Sequence, residues 1–398
     1  MPADLTQLRE QLAARVGGSG GPAVQAALAT VPRHLFLPGV PPADAYQDEA
    51  IVTRRDAAGM PVSSSSQPAI MAIMLAQLGL SPGHRVLEIG AGTGYNAALI
   101  SEIAGPSGRV VSVDIDPEVA EEARDHLAAA GYPDVIVFAA DGAGGAASHA
   151  PFDRLIATVG VADLSPAWLS QVTPDGRIVV PLDVRGTQLS VAFERAADGH
   201  WASRSVAPCG FMRMRGSQSD PTMVTQLEAG LWLALPEERE VTPLPALADP
   251  PSATEGTGVS PAGPDVSWGL RLWLAVHEAR ACQLTEEVRP GRQPRLPRPL
   301  FQSRSVQFSY GIVADAGGIA ILTRDAAGEL IAEGHGEAGA ALVADLAEHV
   351  RAWHASGGRG TEGLHVDAYP RAAAGLAEPV TDGIVIERPS TRFVVYHT

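Results

Sequence analysis

Cysteine is almost missing from this chain, and basic residues are few beside the acidic ones. Cys209 and Cys282 are the only two cysteines among 398 residues, which is too few for a disulfide framework or a multi-thiolate metal cluster. We expect both to be small buried apolar side chains. Lysine is absent, so all 29 basic residues are Arg, against 45 acidic residues and a net charge of −16. Such a surface repels nucleic acid and anionic membranes, and neither is expected as a partner.

Long apolar runs are also missing. No stretch approaches the roughly 20 apolar residues that span a bilayer, and residues 1–14 lack the apolar core of a signal peptide. The expected location is therefore the cytoplasm. A hydrophobic content of 45% with 19% charged residues is nevertheless typical of a globular protein. At this length the chain can hold two or three domains.

The first half alternates short β-rich runs with single helices. The predicted strands are 85–89, 109–113, 135–139 and 154–158, and helices are predicted near 95–103 and 117–130. Strands that are separated by single helices imply parallel βαβ units in a doubly wound α/β sheet. We therefore predict a catalytic domain over residues 1–225. A Pro-rich linker over 226–264 and a smaller α+β domain over 265–398 are predicted to follow it.

The most informative segment is 86–95, an apolar strand that runs into Gly90, Gly92 and Gly94 and then into a helix. A Cβ at such positions would prevent a tight turn and the close approach of backbone to a ligand. Nicotinamide and flavin enzymes use a G-x-G-x-x-G spacing. The G-x-G-x-G spacing here, after Glu88, resembles the first motif of class I S-adenosylmethionine methyltransferases.

That resemblance implies a Rossmann-like fold and an S-adenosyl-L-methionine site, with S-adenosyl-L-homocysteine as product and no metal. A carboxylate that ends the second strand can accept hydrogen bonds from ribose hydroxyls, and family enzymes bind the adenine amino group after the third strand. The implied cofactor-binding residues are Glu88, Gly90, Gly92, Gly94, Asp114, Ile115, Asp141 and Gly142.

A second resemblance is carried by the segments that precede the glycines. Val-Pro-Arg-His-Leu-Phe-Leu-Pro at 31–38, Ala45-Tyr46 and Ser66-Gln67-Pro68 resemble the V-P-R-x-x-F-[VL]-P and T-I-S-Q-P motifs of protein-L-isoaspartate O-methyltransferases. The likeness covers about residues 5–215 and includes Gly131-Tyr132 and the segment 174–177. It implies that a substrate carboxylate attacks a sulfonium methyl group.

The substrate side of the site is predicted at the serine run. Ser66 is the candidate catalytic residue, and Ser64, Ser65 and Gln67 are candidate substrate-binding residues. We expect the Ser66 hydroxyl and the free N–H groups of the helix that Pro68 begins to hold the substrate carboxylate. The alternative is a polar loop with an ordinary helix cap.

Two departures from the family pattern bear on the substrate. Ser64-Ser65-Ser66 replaces Thr-Ile-Ser, and about 180 residues follow the point where the repair enzymes end. Together with the segment 209–216, these features resemble the biosynthetic branch that is encoded with lanthipeptides of the FxLD type and related ribosomal peptides. The branch implies a modified precursor peptide as partner, with 265–398 recognising it, and aspartate methylation that leads to a succinimide.

Two other functions remain possible on the sequence alone. One is general repair of isoaspartate in damaged proteins at the same site. The other is a non-catalytic peptide-binding scaffold, which intact Gly90, Gly92, Asp114 and Asp141 disfavour. The oligomeric state stays open.

Overall fold

The chain folds into two compact units. The computed structural model describes residues 4–56, 61–219, 223–236, 247, 249–263, 265–288, 291, 293–296, 298–302, 306–314, 317–372 and 383–398. The first unit comprises Met1–Asp183, Gln188–Asp220 and Gly363–Thr398. The second comprises Val184–Thr187 and Pro221–Glu362.

The first unit contains helices on both sides of a long mixed sheet, together with one separate hairpin. Its helices are α1 (Leu5–Val16), α2 (Gly21–Thr30), α3 (Pro42–Ala45), α4 (Pro68–Leu78), α5 (Tyr95–Ala104), α6 (Pro117–Ala129) and α7 (Pro166–Gln171). Its strands up to residue 220 are β1 (Ile51–Arg55), β2 (Pro61–Ser65), β3 (Arg85–Ile89), β4 (Arg109–Asp114), β5 (Ile136–Ala139), β6 (Phe152–Ala157), β7 (Val172–Val184), β8 (Thr187–Arg195) and β9 (Trp201–Pro208).

Strands β3 to β7 form the parallel centre of the sheet, in the order β7-β6-β3-β4-β5. These strands are rich in Val, Ile and Leu and are buried because helices cover both faces. Strand order reverses on either side of β3, so the connections that leave the carboxyl ends of β3 and β6 run in opposite directions along the sheet. Such a switch point is where open α/β sheets bind ligands. The predicted doubly wound fold of a class I methyltransferase is confirmed.

Capping residues in the sequence mark the ends of two helices of this unit. Asp116 caps α6, accepting from the N–H groups of Glu118 and Val119, and Pro117 occupies the first turn, as the sequence predicts. Helix α4 ends at Gly79, whose φ of 61° lies in the left-handed region. The antiparallel hairpin of β1 and β2, which carries the serine run, is absent from the sequence interpretation.

Three further strands belong to the first unit although they follow the second in the chain. They are β18 (Leu364–Pro370), β19 (Ile384–Glu387) and β20 (Thr391–His397). Strand β18 pairs with β9, Asp367 opposite Ala202 and Ala368 opposite Trp201, and the antiparallel β20 and β19 follow it. The prediction that 265–398 forms one domain is therefore wrong. The local sequence pattern identifies β18 as a strand, but it does not show that β18 pairs with the edge of β9.

The second unit is built on an antiparallel sheet. Its strands are β10 (Met223–Glu228), β11 (Leu231–Leu235), β12 (Ala253–Gly256), β13 (Ala281–Glu287), β14 (Phe301–Gln302), β15 (Val306–Ala314), β16 (Gly318–Arg324) and β17 (Leu330–Gly336). A π-helical turn (Asp265–Leu270) leads into α8 (Arg271–His277), and α9 (Gly339–Ala355) packs on β16 and β17. Leu342, Leu346 and Val350 of α9 lie in the core.

The predicted linker over 226–264 also differs from the structure. Strand β11 and half of β10 lie inside this range and pair with each other, and β12, also inside it, pairs with β17. Residues 237–246 of the range lie outside the described residues. Both cysteines are buried, as expected. Within the described ranges, no helix is long and apolar enough to cross a membrane.

Candidate methyl-donor and carboxylate site

The loop after β3 is a backbone cradle that only glycine can form. Gly90, Gly92 and Gly94 have φ values of 97°, 52° and 88°, which side chains rarely adopt. A Cβ at Gly90 would lie 2.7 Å from Thr158 Oγ1, and one at Gly94 would lie 3.1 Å from the Ala123 carbonyl oxygen. The loop therefore presents bare backbone at the switch point of the sheet.

Glu88 lies beneath this loop rather than facing a ligand. Its side chain is fully buried, Asn96 Nδ2 donates to Oε1 at 2.8 Å, and Ser112 Oγ donates to Oε2 at 2.5 Å. Burial raises the pKa of the Glu88 carboxyl to about 7. The predicted cofactor contact of Glu88 is thus replaced by a supporting role, in which the side chain ties β3 to β4 and α5.

Asp114 connects the end of β4 to the glycine loop. Its Oδ2 accepts from the Gly92 N–H at 3.0 Å, and its Oδ1 accepts from the Asp116 N–H at 3.1 Å. A carboxylate offers about four acceptor positions, so roughly two remain on this partly exposed side chain for ribose hydroxyls. The neighbouring Ile115 is 36% exposed and supplies an apolar surface beside them. This arrangement fits the predicted cofactor role.

Asp141 is held from two sides at the end of β5. Its Oδ1 accepts from the Ala143 N–H at 3.0 Å and its Oδ2 from the Ser217 N–H at 2.9 Å. The hydrogen bond from Ser217 is the main reason that the pKa of Asp141 is lowered. A Cβ at Gly216, where φ is 99°, would lie 2.8 Å from Asp141 Oδ1. Segment 211–217 therefore reaches Asp141, a contact that the sequence interpretation missed.

The same segment crosses the neighbouring strand ends. The Gly160 N–H donates to the Met212 carbonyl at 2.7 Å, and the Met214 N–H donates to the Gly160 carbonyl at 2.8 Å. The Met214 methyl carbon would lie 3.4 Å from a Cβ at Gly142, and the Ile89 side chain would be 2.5 Å from it. Gly142 therefore has no room for a side chain, and its backbone closes this side of the site.

The serine run lies directly against the glycine loop. The Ser64 carbonyl oxygen would be 3.4 Å from a Cβ at Gly92, so strand β2 ends beside the cradle. Ser65 is 2% exposed and its Oγ is 3.4 Å from Arg33 Nη2, so its hydroxyl serves the interior rather than a substrate. Ser66 is partly buried between β2 and α4. Ser64 is partly buried as well, and the substrate contacts of the Ser64 and Ser66 hydroxyls stay predictions.

The start of α4 is already capped, which corrects one prediction. Pro68 has no N–H, and the Ala69 N–H donates to Asp48 Oδ1 at 2.9 Å. Gln67 Nε2 donates to the Asp48 carbonyl and to Asp48 Oδ2, each at 3.2 Å. The protein's own carboxylate therefore occupies the place that was predicted for a substrate carboxylate, and the Gln67 amide faces Asp48.

Across the residues that the structure describes, no three His, Cys, Asp or Glu side chains lie close enough to hold a metal ion. The glycine cradle and the available acceptor positions of Asp114 fit a nucleoside whose ribose hydroxyls donate to the carboxylate. Together with the fold, they define a class I S-adenosylmethionine-dependent methyltransferase.

Comparison with known proteins identifies the family. Residues 7–219 match the family model of protein-L-isoaspartate(D-aspartate) O-methyltransferase. That match spans more than half of the chain, which therefore belongs to this family. The protein is a carboxyl methyltransferase that uses S-adenosylmethionine.

Similar proteins are found in archaea. The protein-L-isoaspartate O-methyltransferase of Methanopyrus kandleri is 36% identical over 214 residues, which are 53% of this chain and 92% of that protein. Protein-L-isoaspartate O-methyltransferase 2 of Archaeoglobus fulgidus is 35% identical over 54% of this chain and 95% of its own. A solved structure titled protein-L-isoaspartate O-methyltransferase aligns over 90% of this chain and 96% of its own, with a TM-score of 0.51 and 23% identity. That alignment supports the fold.

Proposed function

We propose that this enzyme esterifies the side-chain carboxylate of an aspartyl residue in a ribosomal precursor peptide of the lanthipeptide type. The observation that supports the proposal is the Ser64 carbonyl oxygen 3.4 Å from a Cβ at Gly92, beside a helix start where the Ala69 N–H already donates to Asp48. Since the Ala69 N–H at the start of α4 is occupied by Asp48, a substrate carboxylate bound beside α4 depends on hydrogen bonds from serine hydroxyls. This chain has three consecutive serines where the family pattern has Thr-Ile-Ser.

The chemistry requires alignment more than acid–base catalysis. S-adenosylmethionine, when bound, supplies an electrophilic methyl group on sulfur. An aspartyl carboxylate is ionised at neutral pH and needs no base, so the chain has to orient one carboxylate oxygen and exclude water around it. The Ser66 hydroxyl can donate to the other carboxylate oxygen and fix the angle of attack. In the released ester, the backbone nitrogen of the next residue attacks the carbonyl carbon and expels methanol, which closes a succinimide.

Selection of one aspartate among many requires contacts that are remote from the reacting atoms. The second unit, Val184–Thr187 and Pro221–Glu362, contains neither the glycine loop nor the serine run, and we propose that it recognises the peptide. Repair of isoaspartyl residues is the second candidate, and the similarity to archaeal protein-L-isoaspartate O-methyltransferases favours it. The solved protein-L-isoaspartate O-methyltransferase structure aligns over 90% of this chain, so chain length alone does not separate the two functions.

The test compares substrates on the purified full-length enzyme. We expect kcat/KM for a precursor that is encoded beside this gene to exceed that for an isoaspartyl peptide by about a hundredfold, a selectivity that only substrate-specific contacts provide. The ester is measured as methanol released by base. A preference for generic isoaspartyl peptides would establish the repair function instead.

Two serine variants test the site itself. Ser66→Ala should lower kcat about tenfold or more, because the carboxylate loses its orienting donor, while S-adenosylhomocysteine affinity stays unchanged. Ser63→Ala is the matched control. Ser63 belongs to the same hairpin, but its hydroxyl accepts from Thr53 at 3.1 Å, so this variant should behave as wild type. Equal activity of both variants would remove Ser66 from the reaction.

A further inference from the structure

Asp48 contacts both residues that flank the start of α4 from a distant part of the chain. It lies in the loop before β1, is partly buried, and accepts from the Ala69 N–H 21 residues further on. It also accepts twice from Gln67 Nε2, through its carbonyl oxygen and its Oδ2. Ser66 is the residue immediately before Gln67, so the carboxylate fixes the backbone next to the candidate catalytic hydroxyl.

A buried arginine holds the other side of the same junction. Arg33 is fully buried. Its Nη1 donates to the Gln47 carbonyl at 3.1 Å, and its Nη2 donates to the carbonyls of Glu49 at 3.2 Å and Ser66 at 3.1 Å. The backbone carbonyls of Gln47, Glu49 and Ser66 therefore all accept hydrogen bonds from the Arg33 guanidinium. Hydrogen bonds to the Asp48 carboxylate on one side and from the Arg33 guanidinium on the other therefore fix the position of the loop relative to Ser66.

We propose that Asp48 is a positioning residue for carboxyl methylation. It sets the Ser66 hydroxyl through Gln67 and Ala69, and it closes the terminus of α4 so that the substrate carboxylate is directed to that hydroxyl. This inference rests on the proposed role of Ser66.

An ordinary helix cap would have a different geometry. Asp4 and Asp116 each precede their own helix and accept only from N–H groups of its first turn. Asp48 reaches α4 from another segment and binds a side chain as well. A cap contributes to stability alone, whereas a residue that orients Ser66 also changes the kinetics of peptide methylation.

The experiment uses three variants of the full chain. Asp48→Ala removes the two side-chain contacts, to the Ala69 N–H and to Gln67 Nε2, and leaves the backbone carbonyl contact to Gln67 Nε2. Asp48→Asn keeps an acceptor oxygen for the Ala69 N–H but turns its NH₂ group towards Gln67 Nε2, so that two donors face each other. Asp4→Ala is the matched control, because it removes a cap that lies away from the site. The readouts are kcat and KM for the peptide substrate, S-adenosylhomocysteine affinity and the midpoint of thermal unfolding.

We expect Asp48→Ala to lower kcat/KM about tenfold or more, since a small displacement of a reacting group has effects of that size. Cofactor-product affinity should change less than about twofold, and Asp4→Ala should lower only the unfolding midpoint. Asp48→Asn should lower kcat/KM with the midpoint near wild type, so it keeps the test decisive if Asp48→Ala fails to fold. Wild-type kinetics in Asp48→Asn, or identical behaviour of Asp48→Ala and Asp4→Ala, would overturn the inference. If Ser66→Ala itself is fully active, the proposed function fails first.

Discussion

Glu88 is a carboxylate that the fold keeps away from water, which makes stability depend on pH. Its pKa is about 7 in the folded chain and near its ordinary value of about 4.3 in the unfolded chain. The folded state therefore holds a proton that the unfolded state has released between these values. The stabilisation that the proton on Glu88 provides is complete below the pKa of Glu88 in the unfolded chain and is lost as pH rises through about 7.

The variant Glu88→Gln tests this dependence because its amide resembles the protonated acid at every pH. We expect the stability of wild type, relative to Glu88→Gln, to fall between about pH 4 and 8 by on the order of 3 kcal/mol. Urea unfolding at several pH values measures the difference. Parallel pH profiles of the two proteins would show that Glu88 stays ionised in the fold.

Asp114 combines a structural contact with acceptor positions that the ribose can use. Asp114→Ala should weaken S-adenosylhomocysteine binding by about 2–3 kcal/mol, the range for charge-assisted hydrogen bonds, as measured by calorimetry. Asp116→Ala is the control two residues away. It removes the α6 cap and should cost about 1 kcal/mol of stability without weakening that binding. Unchanged affinity in Asp114→Ala would remove Asp114 from the site.

At the scale of elements, β18 to β20 are part of the methyltransferase sheet. Phe393 of β20 is 1% exposed and its ring lies 6.5 Å from that of Phe193 in β8. Phe393→Ala should destabilise the first unit by about 3–5 kcal/mol, as for other buried aromatic residues. Val385→Ala in the neighbouring β19, where Val385 is 49% exposed, should change stability by less than about 0.5 kcal/mol.

Loss of S-adenosylhomocysteine binding on heating is the suitable measurement for both variants, because it reports the first unit alone. Similar curves for Phe393→Ala and Val385→Ala would mean that these strands do not stabilise that unit.

The elements that the sequence predicted correctly are those whose signal is local. Strand β3, its glycine loop and the capped α6 are each encoded within about a dozen neighbouring residues. Asp48 and Ser217 were missed because their partners lie 21 and 76 residues away, and neither is part of a recognisable motif. Glu88 was assigned a ligand contact because a motif gives the position of a residue but not the direction of its side chain.

At the scale of the whole molecule, the sequence predicted a methyltransferase domain followed by a second one, and the structure has the second unit inserted into the first. Composition and hydrophobic periodicity identify the strands of both units. The assignment of β18 to the first sheet depends on the open edge of β9, which no pattern near residue 364 reveals. The catalytic unit therefore comprises residues on both sides of the insertion in the chain, including Gly363–Thr398 after it.

That insertion has a consequence for synthesis on the ribosome. The Val366 N–H donates to Ser203 Oγ across 163 residues, so β9 is made long before the strand that covers its edge. At about 5–20 residues per second, the interval is roughly ten to thirty seconds. During that time the nascent chain carries an unpaired strand edge, the kind of surface that pairs with other chains. The length of the second unit, and the speed at which it is translated, therefore set how long the growing enzyme is exposed to aggregation.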